Sequence, residues 1–246
     1  MYASIKRNII NPRVAEKERI MAEEPVRIPV EGGKITIEGL YEGGRIGRNA
    51  ILCHPHPLYG GNMHNNVVLS ARQAFAGLGW STLRFNFRGA GASGGHPAQG
   101  LKDAEDLITI TEYLNGHSPG RIDLAAYSYG AWATMEAIRM GLSPDSIILI
   151  SPPLDFISFE GLRLPDVPRL VTIGNQDDFC SVESLRKWLS RQPGAPVTLE
   201  IFPGVDHFYW GAERDLSVKI EAFLRRNFLS GTLPQDVFDK KGERPD

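Results

Sequence analysis

Ser128, two adjacent carboxylates, Asp177 and Asp178, and then His207 follow one another along this chain in an order that suits nucleophilic catalysis. A serine hydroxyl is a weak nucleophile until a base takes its proton, and that base works best when a carboxylate fixes its tautomer. Ser128 stands inside Ile122 to Met140, IDLAAYSYGAWATMEAIRM. Ile122 to Tyr127 is an apolar run too short for a helix. Beyond the serine, Ala131, Met135, Ile138 and Leu142 recur at helical spacing, with Gly141 and Pro144 as stop signals. The small residues Ala126 and Gly130 flank the serine two positions away on each side, as a tight strand-to-helix turn requires. This is the Ala-x-Ser-x-Gly variant of a nucleophile elbow, and the helix start would aim N–H groups at the same point. Taken alone, the five residues read equally well as a serine N-cap.

His207 is the only histidine after Ser128. It lies in PGVDHFYWG, between a predicted strand and the last predicted helix, at the carboxyl edge where open α/β sheets meet their ligands. Asp177 and Asp178 close the strand RLVTIGN and lie between the serine and the histidine. Asp155 is a more distant candidate for the acid, and Asp206, adjoining His207, is poorly placed to reach the ring. Oxyanion donors are expected from the backbone N–H of Tyr129 and from the loop LCHPHPLYGG. Pro55 and Pro57 have no N–H, so that loop's donor must be His56 or Leu58, with His54 as the remaining choice.

Three competing motifs are weighed and set aside. Gly91-Ala92-Ser93-Gly94-Gly95 is a literal Gly-x-Ser-x-Gly, but GGHPAQG follows it, which cannot start a helix, so Ser93 is expected to be a loop residue. Gly89 to Gly94 is a literal Gly-x-Gly-x-x-Gly after a strand, and it too lacks the helix that would receive a dinucleotide phosphate. His54, His56 and His64 suggest a metal only weakly, because no Cys-x-x-Cys or His-x-x-x-His accompanies them. No metal and no cofactor is expected.

These residues need elements to hold them. Pro25 to Val30 and Lys34 to Tyr41 read as a hairpin turned at Glu31-Gly32-Gly33. From Asn49 the chain alternates strand and helix through AILCHP, NNVVLSARQAFAGLG, STLRFNF, GLKDAEDLITITEYLNG and the elbow unit. It continues through SIILISP, PRLVTIGN, SVESLRKWLSRQ, PVTLEIFPG and DLSVKIEAFLRRNFL. Repeated βα units predict a doubly wound α/β sheet of about eight strands, the first pair antiparallel and the rest parallel, with helices on both faces. Residues 1–24 are expected to be an extension, 25–229 the domain, and 230–246 a polar tail.

With 246 residues, 42% hydrophobic and 23% charged, the chain has globular composition and is long enough to bury a sizeable core. A formal net charge of -2 offers no basic field for nucleic acid or anionic lipid, so neither partner is expected. The N-terminus has no continuous apolar core of a secretory signal, and the expected location is the cytoplasm. Cys53 and Cys180, the only cysteines, are too few for a disulfide framework and are expected to stay free. Nothing in the composition indicates an oligomeric state.

Taken together, HPHPLYGG-N, RFNFRGAGASGG, AYSYGA, a Gly-x-x-Asp after a late strand and PGVDHF resemble a bacterial family of small α/β-hydrolase superfamily proteins, over roughly Pro25 to Leu229. The resemblance implies the α/β-hydrolase fold and a Ser–Asp–His triad of Ser128, Asp177 and His207. The expected activity is then hydrolysis of small carboxylic esters or thioesters through an acyl-enzyme on Ser128, with Tyr59, Phe156 and Phe208 touching the substrate. The alternatives are a non-catalytic binding or scaffold protein on the same fold, or a peptidase. A lid in this fold is often inserted between the sixth and seventh strands. Here that connection, Ser151 to Arg169, is too short to form one, and a turn or short helix carrying Phe156 and Phe159 beside a shallow cleft is expected.

Overall fold

The computed structural model describes residues 22–97 and 100–229. The expected tail from residue 230 and the first 21 residues of the expected extension lie outside them. Eight strands form one sheet: β1 (Glu24–Val30), β2 (Ile35–Glu42), β3 (Arg48–Cys53), β4 (Ser81–Phe85), β5 (Arg121–Tyr127), β6 (Ser146–Ile150), β7 (Arg169–Gly174) and β8 (Thr198–Phe202). Their spatial order is β1-β2-β4-β3-β5-β6-β7-β8. β1 and β2 form the expected antiparallel hairpin, β2 also runs antiparallel to β4, and every other pair is parallel. Glu23, counted with the extension from sequence, belongs to the domain, because its carboxylate holds Arg84 and Arg72 at 2.7 and 2.9 Å. β1 likewise begins one residue earlier than expected.

Among the described residues five helices cover the sheet: α1 (Asn66–Gly77), α2 (Leu101–His117), α3 (Tyr129–Arg139), α4 (Val182–Leu189) and α5 (Glu213–Leu224). The two-residue alternation of the strands decides which helices they meet. Ile51 and Cys53 of β3, Leu124 and Ala126 of β5, and Ile147 and Leu149 of β6 face the core shared with α2, α3 and α4. Their neighbours Ala50, Leu52, Ala125, Tyr127, Ile148 and Ile150 face the core shared with α1 and α5. Such strands are buried on both faces and read as continuous apolar runs. α3 ends at Arg139, with Gly141 at φ 112° just beyond it. Leu142, expected on the helical stripe, therefore lies past the helix and packs at its end, half-buried.

After β3 the chain builds outward to β4, then returns to lay β5 on the other side of β3. The crevice at the carboxyl ends of β3 and β5 is thus the switch point of the sheet, where ligands of open α/β folds bind. Cys53 pairs with Ala126 across it, so the loop starting at His54 and the turn at Ser128 leave the sheet side by side. Cys180 follows β7, which two strands, β5 and β6, separate from the β3 strand of Cys53, and both cysteines are free. Burial pushes both thiols up to about 12.

Candidate active site

Ser128 sits between β5 and α3 with φ 55° and ψ -121°, in the left-handed region that a side-chain-bearing residue rarely adopts. Its N–H donates to the Ile150 carbonyl at 2.9 Å, and its carbonyl accepts from the Ala131 N–H at 2.9 Å, which turns strand into helix within one residue. The small neighbour at Gly130 has a direct cause. A Cβ there would stand 2.7 Å from the His54 carbonyl oxygen and 2.8 Å from that of Cys53. Ser128 is therefore a sharp elbow and not a side-chain N-cap, since its side chain makes no capping bond.

The structure brings Ser128, His207 and Asp177 into one hydrogen-bonded chain. His207 Nε2 lies 2.8 Å from Ser128 Oγ, and His207 Nδ1 lies 2.8 and 3.0 Å from the two Asp177 oxygens. With Nδ1 protonated toward the carboxylate, Nε2 is left to accept from the serine hydroxyl. The backbone N–H groups of Phe179 and Cys180 also donate to Asp177 Oδ1, at 2.9 and 3.2 Å, so the carboxylate is held from two sides. Tyr127 donates its hydroxyl to the His207 carbonyl at 2.8 Å and anchors that loop to β5. All three members of the chain are buried.

The other candidate carboxylates are placed differently. Asp178 is exposed. Asp155 accepts from the Ser181 N–H at 2.8 Å, a bond that lowers its pKa. Asp206 caps its own turn by accepting from the Phe208 N–H at 2.9 Å.

The backbone donors of His56 and Leu58 stand differently. Pro57–Tyr59 is a short 3-10 turn closed by Gly60 at φ 82° and by the Gly61 N–H donating to the His56 carbonyl at 3.1 Å. A Cβ at Gly61 would stand 2.2 Å from the Pro55 carbonyl oxygen, so only glycine closes this turn. The Leu58 N–H donates to His56 Nδ1 at 3.2 Å, and the Leu58 side chain is exposed. The Leu58 donor is thereby engaged within its own turn. His56 lines the cleft, its ring 4.7 Å from that of Tyr129. Tyr129 is the first residue of α3, so its N–H has no acceptor within the helix. The Tyr129 hydroxyl donates to the buried Asp103 carboxylate at 2.5 Å, which ties the start of α3 to the first turn of α2.

The three imidazoles of the His54 loop have separate engagements. His54 is fully buried, with Nδ1 2.6 Å from the Pro55 carbonyl and Nε2 accepting from the Phe87 N–H at 2.9 Å. Burial pushes its pKa down to about 4. His64 Nδ1 lies 3.0 Å from the Arg84 guanidinium. Ser93, the rival serine, donates to the Asn86 carbonyl at 2.7 Å and accepts from the Glu38 N–H at 3.0 Å. The glycine-rich loop around it packs on β2: a Cβ at Gly91 would meet the Glu38 carboxylate, and α2 starts only after Gly100. The loop is a clasp on β2.

Around the Ser128 hydroxyl opens a cleft of about 410 Å³. Tyr59, Phe156 and Phe208, expected at the substrate, all line it, joined by Ile157, Phe179 and Trp210, which sequence reasoning missed. Phe179 follows Asp177 by two residues and Trp210 follows His207 by three, so the aromatic texture of DDFC and DHFYW was the available signal. The β6–β7 connection is built from turns and bends, not a helix. Phe159 faces inward from it and packs edge-on against Trp188 at 5.7 Å.

No protein-family model matches the chain. Over 184 residues it is 29% identical to an uncharacterized protein of Rickettsia prowazekii, spanning 71% of this chain and 77% of that one. Among solved structures, an α/β serine hydrolase homologue from Coxiella burnetii is 29% identical with a TM-score of 0.74, covering 82% of this chain and 97% of that one. A Xanthomonas campestris protein described as an α/β serine hydrolase without a lid is 28% identical with a TM-score of 0.76, over 83% and 94% of the two chains. With its eight-stranded sheet and these neighbours, the chain has the α/β-hydrolase fold.

Proposed function

We propose that the protein is a serine hydrolase that cleaves carboxylic esters through an acyl-enzyme on Ser128. The observation that carries this reading is the unbroken hydrogen-bonded chain from Ser128 Oγ through His207 to Asp177, opening on a cleft. Ser128 Oγ attacks the ester carbonyl carbon while His207 Nε2 takes its proton, and Asp177 stabilises the imidazolium that forms. The oxyanion is met by the N–H of Tyr129 and that of His56, at the head of α3 where the helix dipole also favours negative charge. His207 returns the proton to the departing alcohol, and water repeats the sequence to release the acid. A cleft lined by no Asp, Glu, Lys or Arg among the described residues suits an uncharged ester better than a thioester with a polyanionic carrier.

A fluorophosphonate probe tests the reading directly. It labels the parent protein and the Ser93→Ala variant, and it fails to label Ser128→Ala. A folded parent that takes no label would instead support a non-catalytic role on the same fold.

A further inference from the structure

We propose that the cleft at Ser128 selects uncharged esters carrying an aromatic ring. This inference rests on the serine-hydrolase reading and adds the substrate class to it.

The rings beside the Ser128–His207 pair form one continuous edge-to-face chain. Tyr59 and Phe156 lie 6.3 Å apart at 63°, Phe156 and Phe179 5.5 Å apart at 80°, and Phe179 and Phe208 6.4 Å apart at 88°. Phe179 and Phe208 also flank the His207 ring, at 4.4 and 5.7 Å. The chain of rings therefore ends on the base that would serve the reaction. Four separate segments supply these rings: the loop after β3, the β6–β7 connection, the segment after β7 and the segment after β8.

Packing does not use these rings up. Tyr59 is 73% exposed, Phe156 53% and Phe208 48%, although each borders the cleft. Large apolar side chains held in this way keep free faces and edges for a ligand. A ring entering the cleft would complete edge-to-face pairs, and each pair favours an aromatic group over an aliphatic one of equal area by roughly two- to tenfold. The described lining residues include no Asp, Glu, Lys or Arg. A carboxylate or phosphate on the substrate would lose hydration there without gaining an ion partner.

Two pairs of esters test the proposal: methyl phenylpropionate against methyl cyclohexylpropionate, with the ring on the terminal carbon, and phenethyl acetate against cyclohexylethyl acetate. The methylene spacers insulate the carbonyl from the ring, and each enzymatic rate is divided by the ester's hydroxide-catalysed rate. The expected result is a kcat/KM favouring the phenyl member by roughly tenfold in at least one pair, which also shows whether the ring sits on the acyl or the alcohol side. The preference should fall to about twofold or less in Phe156→Leu, read as a ratio within the variant so that a general loss of activity cancels. Ratios near one in both pairs, for a protein whose Ser128 takes a fluorophosphonate, overturn the aromatic selectivity and leave the hydrolase reading standing. A preference that survives in both Phe156→Leu and Tyr59→Leu overturns its assignment to this chain of rings. A folded protein that neither labels at Ser128 nor hydrolyses any of the four esters overturns both.

Discussion

At Asp177 the carboxylate meets three donors, the Phe179 and Cys180 N–H groups and His207 Nδ1, while its neighbour Asp178 faces solvent. An amide at position 177 keeps an acceptor but turns a donor toward a ring nitrogen that must itself donate, so the histidine is driven into the wrong tautomer. Asp177→Asn should lower kcat by about 10⁴-fold, by analogy with triad carboxylates changed to amides, and Asp178→Asn should leave it near the parent value. Steady-state kinetics on one small ester checks both, and a larger loss at Asp178 would reverse the assignment. A second residue-scale effect concerns pH. His54 is buried neutral with its pKa held down at about 4, against 6.5 for a free histidine. Between those values the unfolded chain binds more protons than the folded one, so stability is full above about pH 6.5 and declines toward about pH 4. The loss from this residue is roughly 3 kcal/mol at most. Urea midpoints measured across this range should fall accordingly, and the His54 imidazole resonance should not titrate above about pH 5. Ser128 and His207 were legible in the sequence because one stands where a strand turns abruptly into a helix and the other is the only histidine downstream. The choice between Asp177 and Asp178 depends on which side chain turns under the ring, and in a loop no period reports that.

At the scale of elements, the site depends on how closely loops lie on strand ends. A Cβ at Gly174, the last residue of β7, would stand 2.1 Å from the Val205 carbonyl oxygen and 2.9 Å from that of Asp206. The Gln176 N–H donates to the same Val205 carbonyl at 2.9 Å, so the segment carrying His207 is laid directly on the end of β7. The Gly-x-x-Asp spacing thus has a physical reason: the glycine admits the histidine loop and the aspartate, three residues on, meets the ring. Gly174→Ala should push that loop away and lower kcat/KM by about 10²-fold, as a displacement near 1 Å does. Gly116, inside α2, is the contrasting case, since a Cβ there meets nothing within 4 Å. Gly116→Ala should raise stability by about 0.5–1 kcal/mol and leave activity unchanged, as thermal melts and kinetics would show. The strands and helices were readable because periods of two and near four are written into their apolar residues. The Ser151–Arg169 segment has no such period. Its inward Phe159 and outward Phe156, three residues apart, are told apart only by packing against α4.

For the molecule as a whole, that same connection decides what the cleft can hold. Phe159, Leu162 and Leu164 are buried in the core beside α4, so the stretch where a lid would be inserted is spent covering the sheet. Only Pro153, Phe156 and Ile157 of it reach the cleft, as one wall and not as a roof. A cleft of about 410 Å³ is near the small end of the range for ligand sites, roughly 300–1,000 Å³, and its aromatic rim stands open to solvent. Each acyl methylene that enters it gains about 0.8 kcal/mol, close to a fourfold rise in kcat/KM, and each one that stays in water gains nothing. In a series of p-nitrophenyl esters from acetate to palmitate, kcat/KM should climb by about fourfold per methylene over the first few carbons and then level off. No roof has to be displaced, so the rate should also show no step as the substrate passes its critical micelle concentration. A climb that continues to palmitate would demonstrate a buried acyl tunnel, which a wall of three residues and a rim of exposed rings does not provide.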